Sequence, residues 1–219
     1  GVTSLLLITL SEVASSSGDT KKLQPEQLEF LTAFKEVDEK TIDVLAQLMK
    51  RMPLGSVTHA FVSIYLKKGG VIIYPTDTVY GLGCDIYNSS AIEKLCRIKG
   101  ISPKNSNLSI LCHDFSELAD FTIPIENHIF RVMKKALPGP YTFILKANHN
   151  VPKIFHNRKK AVGIRIPNHN VPREIVRMLG NPIVTTSIHA DDKIVDYMTD
   201  PELIHEKYEK LVDIVVASE

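Results

Sequence analysis

The sequence predicts an α/β protein with a mostly covered sheet. Short apolar, β-branched runs such as Val71–Ile72–Ile73–Tyr74 and Ala161–Ile166 read as buried strands. Segments of helical period lie between them, and alternation of this kind argues for α/β layering. The chain has 219 residues, 44 % hydrophobic and 23 % charged, which is enough to bury a sizeable core.

Residues 1–55 are the least readable part. Thr3–Leu10 reads as a strand and Ser15–Thr20 as a polar linker. Pro25 then opens a helical pattern through Leu28, Leu31, Phe34, Ile42, Leu45, Leu48 and Met49, closed by Pro53–Leu54–Gly55. This extension is either a helical appendage packed on the main domain or a partner-binding helix pair. Ser56 caps a helix to about Lys68, which Gly69–Gly70 ends. The strand 71–74 stops at Pro75 and runs into a polar loop, Thr76, Asp77, Thr78 and Tyr80. Gly81 and Gly83 prolong the loop where the backbone turns or approaches a ligand.

Ser89 or Ser90 caps a helix ending at Lys99–Gly100, and 101–107 is a polar loop. Strands follow at Leu108–Cys112, Tyr141–Lys146, Ala161–Ile166, Pro182–Ser187 and Leu211–Val216. Helices are expected at Phe115–Leu118, Glu126–Leu137, Val171–Leu179 and Pro201–Tyr208, with a short helix or turn at Pro152–Phe155.

Net charge is only +1, but it is unevenly spread. Arg131 to Arg177 holds eleven Lys or Arg against Glu174 alone, whereas Asp191 to the end has nine acids and three lysines. Such asymmetry suggests a basic face for a polyanion, unless the acidic tail packs beside it and neutralises it. Cys84, Cys96 and Cys112 are widely spaced, which argues against a zinc site or a disulfide framework and fits a reduced, cytoplasmic location. Leu5–Leu10 is too short to span a bilayer and lacks the basic start of a signal peptide, so no membrane role is expected. No histidine shows metal-ligand spacing, and there is no Walker A loop or G-x-G-x-x-G.

Polar groups cluster where strands end: Thr76, Thr78 and Tyr80; Lys99 with Lys104–Asn107; Thr142; Arg165; and Thr185–Ser187 with His189. Arg165 is the most informative. An arginine inside the apolar strand VGIRIP faces a carboxylate, a phosphate or solvent, because burying it alone costs too much. Thr185–Ser187 either line the same crevice or cap the strand end. Lys99 is either a helix-dipole partner or a phosphate neutraliser.

Taken together, GGVIIYPTDTVYGLG, a helix ending in IKG, LPGPYTFIL, VGIRIP and NPIVTTS resemble the YrdC-like family, which includes the threonylcarbamoyl-AMP synthases of tRNA modification. The resemblance covers about 56–219 and leaves 1–55 outside as a largely helical extension. It implies a twisted mixed parallel and antiparallel sheet with helices on its faces. It also implies a concave, positively charged face for double-stranded RNA or tRNA. In the catalytic branch, threonine, bicarbonate and ATP with Mg²⁺ give threonylcarbamoyl-AMP and pyrophosphate. Carried over by position, Thr76, Thr78 and Tyr80 would line the threonine pocket, with Thr186 beside them. Thr142 and Arg165 would hold the threonine or carbamate carboxylate. Lys99 and Ser187 would face the nucleotide phosphates, with His189 next to them, and Lys99, Ser187 and Arg165 would carry catalysis. Lys134, Lys135, Lys153, Arg158, Lys159 and Lys160 would form the RNA face.

Two motifs depart from the catalytic branch. Its K-x-R reads Lys99-Gly100-Ile101 here, and its S-x-N reads Ser187-Ile188-His189. An isoleucine cannot clamp a phosphate, and a lost charge-assisted hydrogen bond costs about 1.5–3 kcal/mol. These departures, with CRIKG and NLSILCHDFSEL, bring the chain closer to the YciO branch. Synthase activity is therefore expected to be weak, absent or altered in substrate. A binding module for nucleotide and RNA, without a cofactor, is the alternative, and a structural partner acting through residues 1–55 is a third. Such domains usually continue through a glycine-rich turn into another strand, so this one is expected to extend past Glu219.

Overall fold

The computed structural model describes residues 54–102, 108–152, 160–188, 200–208 and 210–216. The chain divides into two compact units, Gly1–Val62 and Ser63–Glu219. The strand and helices expected before residue 54, the loop 103–107 and the turn after Pro152 lie outside the described residues.

Helix α1 (Leu54–Lys67) leads to strands β1 (Val71–Tyr74) and β2 (Gly81–Asp85), then helix α2 (Ser89–Lys99). Strand β3 (Ser109–Leu111) is followed by a 3₁₀ turn (Phe115–Glu117), a single helical turn α3 (Leu118–Phe121) and helix α4 (Asn127–Ala136). Strands β4 (Thr142–Lys146) and β5 (Ala161–Arg165), helix α5 (Asn170–Leu179), strand β6 (Ile183–Ser187), helix α6 (Pro201–Tyr208) and strand β7 (Ile214–Val215) complete it. Among the described residues the seven strands form one sheet in the order β4-β5-β3-β6-β2-β1-β7. β1 pairs parallel with β7, and β3 parallel with β5; the other four pairings are antiparallel. The expected mixed α/β sheet is therefore present.

Strand alternation assigns each side chain to a face. Val71, Ile73, Leu82, Cys84, Val184, Ile110, Ile164 and Val162 align across the sheet and join the main hydrophobic cluster. Ala91, Ile92 and Leu95 of α2, Met133 of α4 and Ile204 and Tyr208 of α6 belong to the same cluster. The opposite face is different in kind. One row across it reads Ile72, Gly83, Thr185, Ser109, Gly163, Ile144, and the next reads Asp85, Ile183, Leu111, Arg165, Thr142. Small and hydroxyl-bearing residues thus fill the middle of the first row, while Ile183 and Leu111 keep the second apolar up to Arg165.

The largest correction to the sequence reading is β2. Gly81 and Gly83 are not part of a ligand loop: they lie in a fully buried strand antiparallel to β1. Their reason is the Tyr74 ring. A Cβ at Gly81 would sit 2.9 Å from Tyr74 Cε2, and one at Gly83 2.8 Å from Tyr74 Cε1. With no side chains in the way, the ring lies over β2, and its hydroxyl shares a hydrogen bond with Thr185 Oγ1 on β6. Burial raises the Tyr74 phenol far above its ordinary range, so it acts as a neutral pin.

Smaller differences follow local chemistry. α2 is capped by Asn88, not by Ser89 or Ser90: its side chain accepts from Ala91 N at 3.0 Å and from Ser90 Oγ at 2.7 Å. α1 begins two residues before Ser56. The expected helix at Phe115–Leu118 divides into the 3₁₀ turn and α3, and β7 is shorter than Leu211–Val216. Asp213, just before β7, has a carboxylate that accepts from Val71 N at 2.7 Å and pairs with Lys94 Nζ at 2.7 Å, tying the strand to β1 and α2. All three cysteines are free and buried. Among the described residues no helix is long and apolar enough to cross a membrane.

Candidate functional site

The site is built on the loop Pro75–Tyr80 that joins β1 to β2. Thr76 shapes it. Its hydroxyl donates to Val79 O at 2.7 Å and accepts from Thr78 N at 3.1 Å, closing a tight hydroxyl turn. The Thr78 hydroxyl lies 3.2 Å from that of Thr76 and is exposed. At the loop's far end Tyr80 is buried in the main hydrophobic cluster, and its carbonyl accepts from Ile188 N at 3.1 Å.

Arg165, the last residue of β5, gathers this loop. Its Nη2 donates to Asp77 Oδ1 and Thr78 Oγ1 at 2.7 Å each and to Thr76 Oγ1 at 3.1 Å. The side chains of Arg165 and Asp77 are 17 % and 11 % exposed, so the ion pair is largely removed from water. The other Asp77 oxygen accepts from Asn168 N at 2.9 Å, just after β5, which fixes the carboxylate from a second side. Arg165 Nε is buried and makes no hydrogen bond. Thr142, exposed, is the register partner of Arg165 on β4, and strand pairing points both side chains to the same face. Gly139 N donates to Ile166 O at 2.9 Å, so the turn before Thr142 is held against the end of β5.

The remaining candidates are placed as follows. Ser187 is exposed at the end of β6, on the same face as Thr185 and Tyr74. Thr186, between them, points to the opposite face with Leu82 and Val184; of the two threonines, Thr185 is the one on the polar face. Lys99 closes the last turn of α2 with its Nζ buried, and Ile101 packs against the main cluster. Lys134 and Lys135 are exposed on α4, and Lys160 is exposed just before β5. Lys134 Nζ stands 5.0 Å from the Phe130 ring centroid. His189, Lys153, Arg158 and Lys159 lie outside the described residues. Asp77 was not among the predicted site residues, and Thr185 was named only within the Thr185–Ser187 strand end, without a role of its own. Asp77 stood in the right loop, but its partner is 88 residues away in sequence. Only the lone arginine in VGIRIP hinted that a carboxylate faced it.

Chemically, one guanidinium, two hydroxyls and a carboxylate converge at the end of β5. A guanidinium with flanking hydroxyls is chemistry suited to orienting an anionic group, and the constellation contains no nucleophile–base pair of its own. These elements make an α/β protein with a mixed sheet, whose polar β1–β2 loop is fastened to the end of β5 through Arg165. Residues 64–219 match the Sua5/YciO/YrdC family model, described as telomere recombination, and the chain belongs to this family. YciO of Escherichia coli (strain K12) is 38 % identical over 152 residues, which is 69 % of this chain and 72 % of that protein. Its crystal structure matches with a TM-score of 0.68 at 35 % identity, covering 75 % of this chain and 79 % of that one. A threonylcarbamoyl-AMP synthase of Neisseria gonorrhoeae (strain ATCC 700825 / FA 1090) is 34 % identical over 133 residues, 60 % of this chain and 69 % of the synthase. P. abyssi Sua5, crystallised with L-threonine, shares the fold: TM-score 0.67 at 22 % identity, covering 77 % of this chain and 48 % of that one.

Proposed function

We propose that this chain binds a nucleotide and a small amino-acid carboxylate in the site under the 75–80 loop, and tRNA or double-stranded RNA on its basic segment. L-Threonine is the proposed amino acid, by likeness to the threonylcarbamoyl-AMP synthases among its relatives. The observation that carries this reading is the convergence of Arg165, Thr76 and Thr78, with Thr142 paired beside the arginine. In the enzyme version, threonine, bicarbonate and ATP with Mg²⁺ give threonylcarbamoyl-AMP and pyrophosphate. Arg165 and Thr142 then orient the carboxylate, while Lys99 and Ser187 offset phosphate charge. The contribution of these residues is positioning and charge neutralisation. The domain, counted from about residue 56, works with the 1–55 extension as an appendage outside this chemistry.

A second reading is favoured by Ile101. It stands where the catalytic motif carries an arginine, and it is packed against the core. On that reading the site binds without synthase turnover. Pyrophosphate release from ATP, dependent on both threonine and bicarbonate, separates the two. Release above a Lys99→Ala control supports the enzyme, and release no greater than that control assigns the chain to the binding module.

A further inference from the structure

We propose that the Asp77 carboxylate is an internal occupant of the Arg165 anion subsite, and that a ligand carboxylate binds there by displacing it. This rests on the reading that Arg165 takes a ligand carboxylate, and it names the residue that sets how readily it does so.

A guanidinium grips a carboxylate through two adjacent N–H groups, on either the Nε/Nη2 edge or the Nη1/Nη2 edge. Nη2 belongs to both edges. It has two hydrogens, and the loop already supplies it with three acceptors: Asp77 Oδ1, Thr78 Oγ1 and Thr76 Oγ1. Neither edge is open to a two-point contact while those acceptors stay in place. Asp77 is the one with a formal charge and the one most like an incoming carboxylate. It also has somewhere to remain: its second oxygen is held by Asn168 N at 2.9 Å, so release from Arg165 leaves the carboxylate anchored.

The orphaned Nε gives the exchange a direction. In the present arrangement Nε is buried and makes no hydrogen bond, which is costly for a charged donor. Asp77 meets the guanidinium through Nη2 alone. A ligand carboxylate on the Nε/Nη2 edge satisfies both nitrogens, replacing a one-point contact with a two-point one. Thr142, the register partner of Arg165, flanks the arginine on the same sheet face. Asp77 thus competes for Arg165, and only a carboxylate able to outcompete it enters.

The test is calorimetric titration of L-threonine into the full chain, its Asp77→Asn variant and its Arg165→Ala variant, with thermal unfolding to confirm that each folds. Asn keeps the size and the acceptor but not the charge, so Asp77→Asn is expected to bind L-threonine about fivefold more tightly than the wild type. If Asp77→Asn does not fold, Asp77→Ser takes its place with the same expected gain. Arg165→Ala is expected to bind at least tenfold more weakly than the wild type. Saturation of the wild type should also shift the Arg165 Nε–H resonance. An Asp77 variant that binds no better than the wild type, including no binding by either, overturns the proposal. If Arg165→Ala loses binding while the Asp77 variant gains nothing, Arg165 remains the carboxylate site and only the displacement is refuted. If Arg165→Ala binds as the wild type does, the carboxylate site itself is refuted along with it.

Discussion

Replacing Arg165 with alanine should unfasten the 75–80 loop from β5, and the cost follows from the geometry. The arginine makes three hydrogen bonds to the loop, two of them at 2.7 Å. A hydrogen bond involving a charged group contributes about 1.5–3 kcal/mol. An exposed ion pair is worth about 0–1 kcal/mol, and breaking a fully buried one costs about 3–5 kcal/mol. At 17 % and 11 % exposure the Arg165–Asp77 pair lies nearer the buried limit. Arg165→Ala should therefore destabilise by about 2–3 kcal/mol, lowering Tm by about 5–10 °C in a domain of this size. Urea unfolding of wild type, Arg165→Ala, Asp77→Ala and the double variant closes a thermodynamic cycle. The coupling energy should be about 1.5 kcal/mol or more. An Arg165→Ala variant within about 0.5 kcal/mol of wild type, or additive single variants, would refute the claim that this pair holds the loop.

Three further outcomes are expected. Gly83→Ala should cost about 1–3 kcal/mol, because the added methyl meets Tyr74 at 2.8 Å and both Ile183 Cδ1 and Val184 O at 3.1 Å; urea unfolding measures it, and a neutral effect would show that the ring is not confined there. Burial raises the Glu117 carboxyl above its usual range, although its Oε2 accepts from His113 N at 2.6 Å. The folded state then holds the proton more tightly than the unfolded one, so stability falls as pH rises from the ordinary carboxylate range through the raised folded pKa; Glu117→Gln should lose that decline in urea midpoints measured across pH, and an unchanged slope would refute it. Affinity for tRNA should fall steeply with salt, each phosphate contact adding about 0.7–0.9 to the log–log slope, and glutamate at Lys134, Lys135 and Lys160 should flatten it; a slope near zero in the wild type would remove the RNA face.

How much of this was legible differs from element to element. The strands at 71–74 and 161–165 and the helices at 89–99 and 170–179 are local patterns, and each appears within two residues of its expected bounds. β2 was illegible because its glycines answer to a ring on the neighbouring strand, and GLG alone reads as a turn. Arg165 announced itself by being charged in an apolar strand. Asp77 did not, since a carboxylate in a polar loop is unremarkable until the chain brings it to an arginine 88 residues on. The choice between Thr185 and Thr186 turned on register. One step along β6 reverses the face, and the antiparallel pairing of Ser109 with Thr185 decides it.

On the reading proposed above, Arg165 and the 75–80 loop form a carboxylate site for which Asp77 and a ligand compete. A crystal structure of the chain grown with saturating L-threonine tests it most directly. The threonine carboxylate is expected about 2.7–2.9 Å from Arg165 Nε and Nη2, with Asp77 withdrawn from Nη2 and still on Asn168 N. L-Threonine bound elsewhere, or bound with the Asp77–Arg165 contact intact, would contradict it.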